Sequence, residues 1–205
     1  MKRSTLYIII GLAGVIALIL FSLQNGESSE NYLNTITKER TEKDEFMKSG
    51  DGSPFQNDSI PFNGLKYFEI DERFRVKAKL EPIEEKKVRV IGTSDGKEQR
   101  YLEYAYAHFE LLGVENKLLI LEVMEMGPQR GKLFLAFADE TSSNETYGAG
   151  RYLDLKKVAA ATSIVLDFNM AYNPYCAYNE NYTCPLPPRE NILAIAIRAG
   201  EKNYH

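Results

Sequence analysis

Beyond Pro61 the sequence alternates between apolar and charged residues with a period of two. The clearest run interleaves Phe74, Val76, Ala78 and Leu80 with Arg73, Arg75, Lys77 and Lys79. This pattern is typical of a β-strand with one buried face and one face in solvent. Further short strands are predicted at 87–91, 101–111, 117–124, 132–138, 163–169 and 192–198. Because turn signals such as Asp95-Gly96 separate several of them and no amphipathic helix intervenes, we predict a mainly β fold, a single antiparallel barrel or sandwich domain.

The N-terminal residues predict a membrane anchor. Residues 6–23 carry no charge, and they follow Lys2 and Arg3. Their length fits a transmembrane helix. A cleaved secretory signal is the alternative, but its apolar region is normally shorter, roughly 7–15 residues, and ends in a small-x-small site. In both cases the basic residues hold the N-terminus in the cytoplasm, so the remainder of the chain is expected to be extracytoplasmic.

We therefore expect a single-pass membrane protein. Residues 1–27 would be the membrane anchor and spacer, and residues 28–205 a single soluble β-rich domain. Within the latter, residues 32–48 are rich in charge and place a few apolar side chains at helical intervals, which predicts a juxtamembrane helix. The Gly50-Asp51-Gly52-Ser53-Pro54 run would end this helix.

The composition supports a packed domain and disfavours a nucleic-acid partner. Apolar residues make up 44% of the chain, and 10 Phe and 13 Tyr supply material for a core. The 25 Lys and Arg are outnumbered by 29 Asp and Glu, giving a net charge of -4, so we expect no nucleic-acid partner. The sequence also lacks the ending of a phosphate-binding P-loop and the full glycine pattern of a dinucleotide-binding turn, so its cofactor, if any, is unknown.

Cys176 and Cys184 are the only cysteines. Thiols outside the cytoplasm are usually oxidised, so the expected compartment favours a disulfide between them. A metal pair and two unpaired buried thiols are the alternatives. Structural zinc needs four Cys or His ligands, and the only histidines are His108 and the terminal His205, so we predict no metal site.

Two polar segments follow apolar strands, residues 139–153 and 167–191. Polar groups at a strand end lie at the rim of a sheet, where rigid scaffolds often carry binding sites. In the second segment the alternation places Asp167 and Asn169 on one face, either in solvent or in a cleft. Four tyrosines, Tyr172, Tyr175, Tyr178 and Tyr182, follow closely and offer flat apolar faces with hydroxyl groups, which suit sugars, although they could simply cover a loop. The predicted ligand-binding residues are Glu145, Tyr147, Arg151, Asp167, Asn169, Asn173 and Tyr178.

Three functions remain open on this evidence. The first is a binding domain for a small polar or carbohydrate-like ligand. The second is a hydrolase that uses the carboxylates of Asp139, Glu145 or Asp167, with Arg151 stabilising negative charge. No G-x-S-x-G motif accompanies His108, so that residue is expected to be a hydrogen-bonded strand histidine rather than a catalytic base. The third is a structural or interaction module with no ligand, in which buried Tyr, Asn and Arg side chains of the two polar segments only join loops through hydrogen bonds. A pairing of Glu145 with Arg151 alone would be a structural contact of this kind.

Several joined strings resemble one protein family. They are Ser53-Pro54-Phe55, Phe62-Asn63-Gly64-Leu65-Lys66-Tyr67-Phe68, Glu145-Thr146-Tyr147-Gly148-Ala149-Gly150-Arg151-Tyr152-Leu153, Leu166-Asp167-Phe168-Asn169, Ala171-Tyr172-Asn173-Pro174, Cys176-Ala177-Tyr178, Cys184-Pro185-Leu186-Pro187-Pro188 and Ala199-Gly200-Glu201-Lys202. The chain resembles the domain-of-unknown-function family 1684 over about residues 38–204. This resemblance implies a single domain and the importance of these strings, and it leaves the activity open.

Overall fold

The computed structural model describes residues 28–56 and 60–205. Two compact units divide the chain after Lys38, and the second runs from Glu39 to His205. The predicted membrane anchor at residues 6–23 lies outside the described residues. Within the described ranges, no helix is both long and apolar enough to cross a membrane.

The helix predicted over 32–48 is present as α1, Ser29–Ser49. The chain turns sharply where the glycine-containing run predicts an end. The Gly50 N–H donates to the Phe46 carbonyl over 2.7 Å, and the buried Ser53 hydroxyl donates to the Met47 carbonyl. These bonds satisfy carbonyls that would otherwise lack partners at the helix end.

In the described part of the chain, seven antiparallel strands form one sheet. They are β1 Arg75–Pro82, β2 Val88–Gly92, β3 Glu98–Leu111, β4 Val114–Val123, β5 Leu133–Phe137, β6 Arg151–Leu155 and β7 Ser163–Asp167. The order is β6-β5-β4-β3-β1-β7, and β2 pairs with β3 beside this path. The predicted mainly β, antiparallel fold is confirmed. The sheet curls into a half-barrel with β6 and β7 at its ends, whereas we expected a barrel or a sandwich.

Alternation accounts for the core. In β1, Ala78 and Leu80 point inward while Lys77 and Lys79 stay exposed, as predicted. The strand β4 is buried on both faces, since Leu118 and Ile120 join the main core whereas Leu119 and Leu121 join a second cluster with β2 and β3.

A β-bulge in β3 explains how this strand serves both clusters. The register with β4 shifts between Glu103 and Ala105. Before the shift Tyr101 faces the second cluster, and after it Ala105 and Ala107 face the main core. One extra residue in a strand of period two exchanges the faces of all the side chains that follow.

One predicted strand is wrong, and one strand is missing from the prediction. The missing strand is β6, because its sequence lies inside a polar segment. Residues 192–198 form no strand, although Leu193, Ile195 and Ile197 are buried alternately as a strand would bury them. Backbone pairing is limited to residues 138–140, where the Leu193 N–H donates to the Ala138 carbonyl over 2.8 Å. Further along, side chains supply the partners: the Ile197 N–H donates to Asp139 Oδ1 over 3.1 Å, and its carbonyl accepts from Arg151 over 2.9 Å.

Candidate functional site

A cleft opens between the edge strands of the half-barrel, and we call it the seam cleft. Its volume is about 620 Å³, within the range of small-molecule sites. Its lining comes from β6, β7, the second half of α1 and the segment after β7. The lining residues are Glu39, Lys43, Phe46, Met47, Leu153, Asp154, Leu155, Lys156, Val165, Asp167, Met170, Tyr172 and Tyr175.

A second pocket of about 520 Å³ continues the seam cleft toward β1. The two share Asp154, Lys156, Val165 and Asp167, and the second adds Arg75 and Tyr104. The shared residues show that the seam cleft and the second pocket together form one groove along the gap between β6 and β7. The fold leaves the gap because each of these two strands has a single strand neighbour in the sheet.

Lys43 of α1 brings a positive charge to the seam cleft. Its Nζ lies 3.1 Å from Glu201 Oε2 and 4.2 Å from the centroid of the Tyr172 ring. Burial lowers the pKa of Lys43 below its ordinary value, and Glu201 and Asp154 oppose this effect. The Lys43 side chain is 27% exposed, and it lines the seam cleft.

Tyr172 and Asp154 form a polar pair beside this lysine. The Tyr172 hydroxyl donates to Asp154 Oδ1 over 2.9 Å. Burial and the nearby carboxylate of Asp154 raise the pKa of Tyr172, so it is a neutral hydrogen-bond donor near pH 7. The seam cleft thus offers a phenol, a carboxylate and an ammonium group around aromatic and aliphatic side chains.

Asp167 is the predicted ligand residue that lines the seam cleft. Strand β7 ends there, and a 3-10 turn, Phe168–Met170, follows. Asp167 caps this turn by accepting from the Asn169 backbone N–H over 3.1 Å. Because the strand ends at Asp167, the Asp167 and Asn169 side chains do not lie on the same face of one strand, contrary to the prediction. Asn169 is fully buried and binds both backbone groups of Asp71.

Arg151 is held inside the domain. Its side chain is 1% exposed, and one guanidinium nitrogen contacts Asp139 Oδ2 over 2.8 Å. The guanidinium also donates to the carbonyls of Ile197, Ala199 and Glu201. Burial lowers the pKa of Arg151, and Asp139 counteracts this shift. The expected pair of Glu145 with Arg151 is wrong: Glu145 lies on the surface and pairs with Arg198 over 2.9 Å.

Gly150 explains how Arg151 enters the core. Its φ is +88°, and a Cβ there would lie 2.5 Å from the Phe137 carbonyl oxygen and 2.6 Å from Pro187. The glycine therefore permits a positive φ and a close approach between segments, which is a packing role.

Asn173 and Tyr178 surround the buried carboxylate of Glu201. The Asn173 backbone N–H donates to Glu201 Oε2 over 2.8 Å, and the Tyr178 hydroxyl donates to Oε1. With Lys43 they give the carboxylate, which is 1% exposed, a complete set of partners. Asn173 and Tyr178, which were predicted to contact a ligand, thus form hydrogen bonds with other residues of the domain.

The predicted disulfide is not formed, because Cys176 and Cys184 are free thiols in the structure. They lie side by side, with the Cys176 backbone N–H donating to Cys184 Sγ over 3.3 Å. The remaining predicted ligand residue, Tyr147, donates its hydroxyl to Cys176 Sγ over 3.7 Å. It belongs to this thiol pair and not to the seam cleft.

The carboxylates of the hydrolase hypothesis lie in different environments. Asp139 has a fully buried side chain whose oxygens bind Arg151, Thr141 and the Ile197 N–H. A substrate cannot reach it without displacing Arg151. His108 lies on β3 with its Nε2 2.6 Å from Glu81 Oε2, so the prediction of a hydrogen-bonded strand histidine is confirmed.

Sequence reasoning missed Lys43, Asp154 and Glu201. They lie on α1, on β6 and near the C-terminus. Of these, only Glu201 fell in a string that resembles the family, and no local motif connects the three. Tyr172 did belong to the tyrosine cluster that the sequence singles out.

The half-barrel and its seam cleft define a small β-rich domain with a candidate binding site for a small molecule. The chain belongs to the family described as "Protein of unknown function (DUF1684)", whose model matches residues 61–202. The predicted resemblance is thereby confirmed. The chain is also similar to an uncharacterised protein of Haloarcula marismortui solved by solution NMR, with 34% identity and a TM-score of 0.64 over 85% of this chain and 95% of that chain. No curated protein matches this chain.

Proposed function

We propose that this chain is a membrane-tethered, extracytoplasmic binding domain that holds a small polar, carbohydrate-like ligand in the seam cleft. The observation that carries this proposal is the cleft itself, about 620 Å³ in volume and lined by both apolar and hydrogen-bonding side chains. Small-molecule sites are commonly clefts of ~300–1,000 Å³ in which a few polar groups fix the ligand's orientation.

The chemistry of the lining favours a ligand with several hydroxyl groups. The carboxylates of Asp154 and Asp167 accept hydrogen bonds from hydroxyl groups, and the Lys43 ammonium donates to them. The rings of Tyr172 and Tyr175 provide apolar surfaces against which the C–H face of a sugar can pack. Because charges of both signs line the cleft, a neutral polyhydroxylated molecule suits it better than a strongly charged one.

The tether and the compartment rest on the sequence. The uncharged run at residues 6–23 and the preceding Lys2 and Arg3 support an N-terminal anchor with its N-terminus in the cytoplasm. A reporter enzyme that is active only outside the cytoplasm, fused after His205, tests this part. Activity is expected, and an inactive but intact fusion would contradict the topology.

Ligand binding is tested by thermal denaturation of the full-length protein with neutral sugars, polyols, organic acids, nucleotides and divalent metals. A ligand at 100 times its Kd adds about 2.7 kcal/mol of stability, which raises the Tm by several degrees. We expect such a shift with a neutral sugar or polyol.

Matched variants locate the binding site. Asp154→Asn and Asp167→Asn keep the side-chain size and remove a charge from the cleft, so each is expected to abolish most of the shift. Glu145→Gln makes the same change at a surface carboxylate that pairs with Arg198, and it should retain the full shift. The proposal fails if no sugar or polyol shifts the Tm, or if both cleft variants respond like the unmodified protein.

A further inference from the structure

Backbone hydrogen bonds place the two cysteines next to each other. Cys176 lies in the 3-10 turn Tyr175–Ala177, which the Pro174 and Tyr175 carbonyls close through hydrogen bonds. Cys184 is fixed from the other side, because its N–H donates to the Ser94 hydroxyl over 3.1 Å and its carbonyl accepts from the Ser94 N–H over 2.9 Å. The thiols therefore meet without any covalent link between them.

The surroundings of the two thiols differ. Cys176 is half-buried and keeps some exposed surface, whereas Cys184 is only 7% exposed. Hydrogen bonds from Cys184, Tyr147 and Ser94 hold the pKa of the Cys176 thiol below its ordinary value, although burial opposes them. The hydrogen bond to Cys176 and burial raise the pKa of Cys184. Of the pair, Cys176 is the more accessible thiol and the better stabilised thiolate.

The nearby tyrosines act as neutral donors. Burial and the contact with Cys176 raise the pKa of Tyr147. Burial and the two nearby thiols raise the pKa of Tyr152, whose hydroxyl donates to the Pro185 carbonyl over 2.6 Å. Near pH 7 both phenols are protonated, so Tyr147 can donate to a thiolate at Cys176 without adding a negative charge. Thiolates stabilised by such donors are the reactive form of cysteine.

We propose that Cys176 and Cys184 form a peroxide-reactive dithiol site, in which Cys176 is the nucleophile and Cys184 the resolving thiol. The Cys176 thiolate attacks one oxygen of a hydroperoxide, the O–O bond breaks, and the other oxygen leaves as an alcohol or water after taking up a proton. Cys176 is then a sulfenic acid. Cys184 attacks its sulfur, an S–S bond forms, and the sulfenic oxygen leaves as water. Two thiols are oxidised by two electrons and one peroxide is reduced.

This site lies beside the seam cleft but does not depend on the proposed ligand. A structural disulfide formed during export would instead be present in the protein as isolated and would not need Tyr147. The test therefore starts from full-length protein that has been reduced with a phosphine and freed of the reductant under anaerobic conditions.

Trapping of the intermediate identifies the nucleophile. One equivalent of hydrogen peroxide is expected to consume two thiols and give a linked peptide that contains Cys176 and Cys184, detected by mass spectrometry. With Cys184→Ser, the sulfenic acid at Cys176 should accumulate and react with dimedone. With Cys176→Ser, Cys184 should give no dimedone adduct. Far-UV circular dichroism establishes that both variants are folded.

The pH dependence of the alkylation rate shows whether Cys176 is an activated thiol or an ordinary thiol that happens to lie next to Cys184. Iodoacetamide should modify Cys176 of the reduced protein with an apparent pKa below the ordinary thiol value of about 8.5. Tyr147→Phe removes one donor and should raise this apparent pKa. At pH 5, below the pKa of about 6, a rise of about half a unit slows the reaction roughly threefold, since the thiolate fraction there falls tenfold for each unit of pKa. Tyr182→Phe is the matched control, because this ring packs against Tyr175 in the same cluster and should leave the rate unchanged.

Three results would overturn the proposal. They are a disulfide that is already complete in protein isolated without oxidant and resists the phosphine, the absence of a dimedone adduct in Cys184→Ser, and an alkylation profile of Cys176 that matches free cysteine. The last measurement uses the unmodified protein, so it decides the question even if a variant fails to fold.

Discussion

Arg151→Lys provides the sharpest test of how the domain is held together. The guanidinium of Arg151 makes one contact with Asp139 and three with backbone carbonyls of the C-terminal segment. A lysine ammonium keeps the charge but has three donors on one nitrogen, and it cannot span this set of acceptors. At least one or two buried carbonyls then lose their partner, at about 1–3 kcal/mol each.

The expected loss of unfolding free energy is about 3–5 kcal/mol, from two buried carbonyls at about 1–3 kcal/mol each and the poorer contact of a lysine with Asp139. For a domain of this size, 1 kcal/mol corresponds to roughly 2–4 °C, so the Tm should fall by about 6–20 °C. Circular dichroism during heating measures the Tm, and urea denaturation gives the free energy at 25 °C. The urea m-value should stay constant, which indicates that the folded and unfolded states expose the same surface as before.

Arg198→Lys is the matched control. Arg198 pairs with Glu145 at the surface, with side-chain exposures of 60% and 40%, and such pairs contribute about 0–1 kcal/mol. A loss for Arg151→Lys no larger than for Arg198→Lys would refute the argument that the guanidinium replaces strand partners. A double-mutant cycle with Asp139→Asn should show strong non-additivity, because both side chains belong to one network.

Two other predictions concern packing and pH. Gly150→Ala should cost more than about 1 kcal/mol in urea denaturation, because it adds a steric clash to a positive φ. Gly96→Ala, at φ +80° with open space around it, should cost less, and equal costs would contradict the clash. Burial raises the pKa of Glu122, but the ammonium groups of Lys157 and Lys86, each 2.9 Å away, outweigh this and hold it below its ordinary value. Glu122 therefore contributes stability above its unfolded pKa of about 4.3, which is lost as pH falls through the folded pKa. Glu122→Gln should lower stability at pH 7 and weaken the loss in acid, and an unchanged pH profile would exclude this role.

The sequence predicted those strands whose alternation is visible locally. Strand β1 shows it in full, with exposed Lys77 and Lys79 flanking the inward-facing Ala78. Strand β6 lacks a visible alternation, because it begins with the buried Arg151 and follows a polar loop. A prediction from sequence expects a charged residue to be exposed. The segment at 192–198 has the burial period of a strand, but it pairs with backbone only at residues 138–140, and at Ile197 its partners are the side chains of Asp139 and Arg151. Hydrophobic periodicity does not distinguish these partners from a neighbouring strand.

The same limitation explains the predicted ligand residues. Asp, Asn, Tyr and Arg side chains at a strand end either meet a ligand or satisfy backbone groups that lack a strand partner, and both roles need the same residue types. Here the backbone pairing of the C-terminal segment with residues 138–140 ends at Ile195, so buried polar side chains supply hydrogen bonds to the residues that follow. Arg151, Asn173 and Tyr178 serve this segment, directly or through Glu201.

A cleft between edge strands draws its lining from parts of the chain that are far apart in sequence. Lys43 lies on α1, Asp154 on β6 and Asp167 at the end of β7. Their proximity follows from the topology, because the order β6-β5-β4-β3-β1-β7 leaves β6 and β7 as the two ends of one curled sheet. When site residues are brought together only by the strand order, no short stretch of sequence indicates that they share a site. Substitutions of Asp154 and Asp167 should therefore affect ligand binding more than stability, whereas substitutions of Glu201 and Arg151 should do the reverse. Measuring both quantities on the same variants separates the two sets.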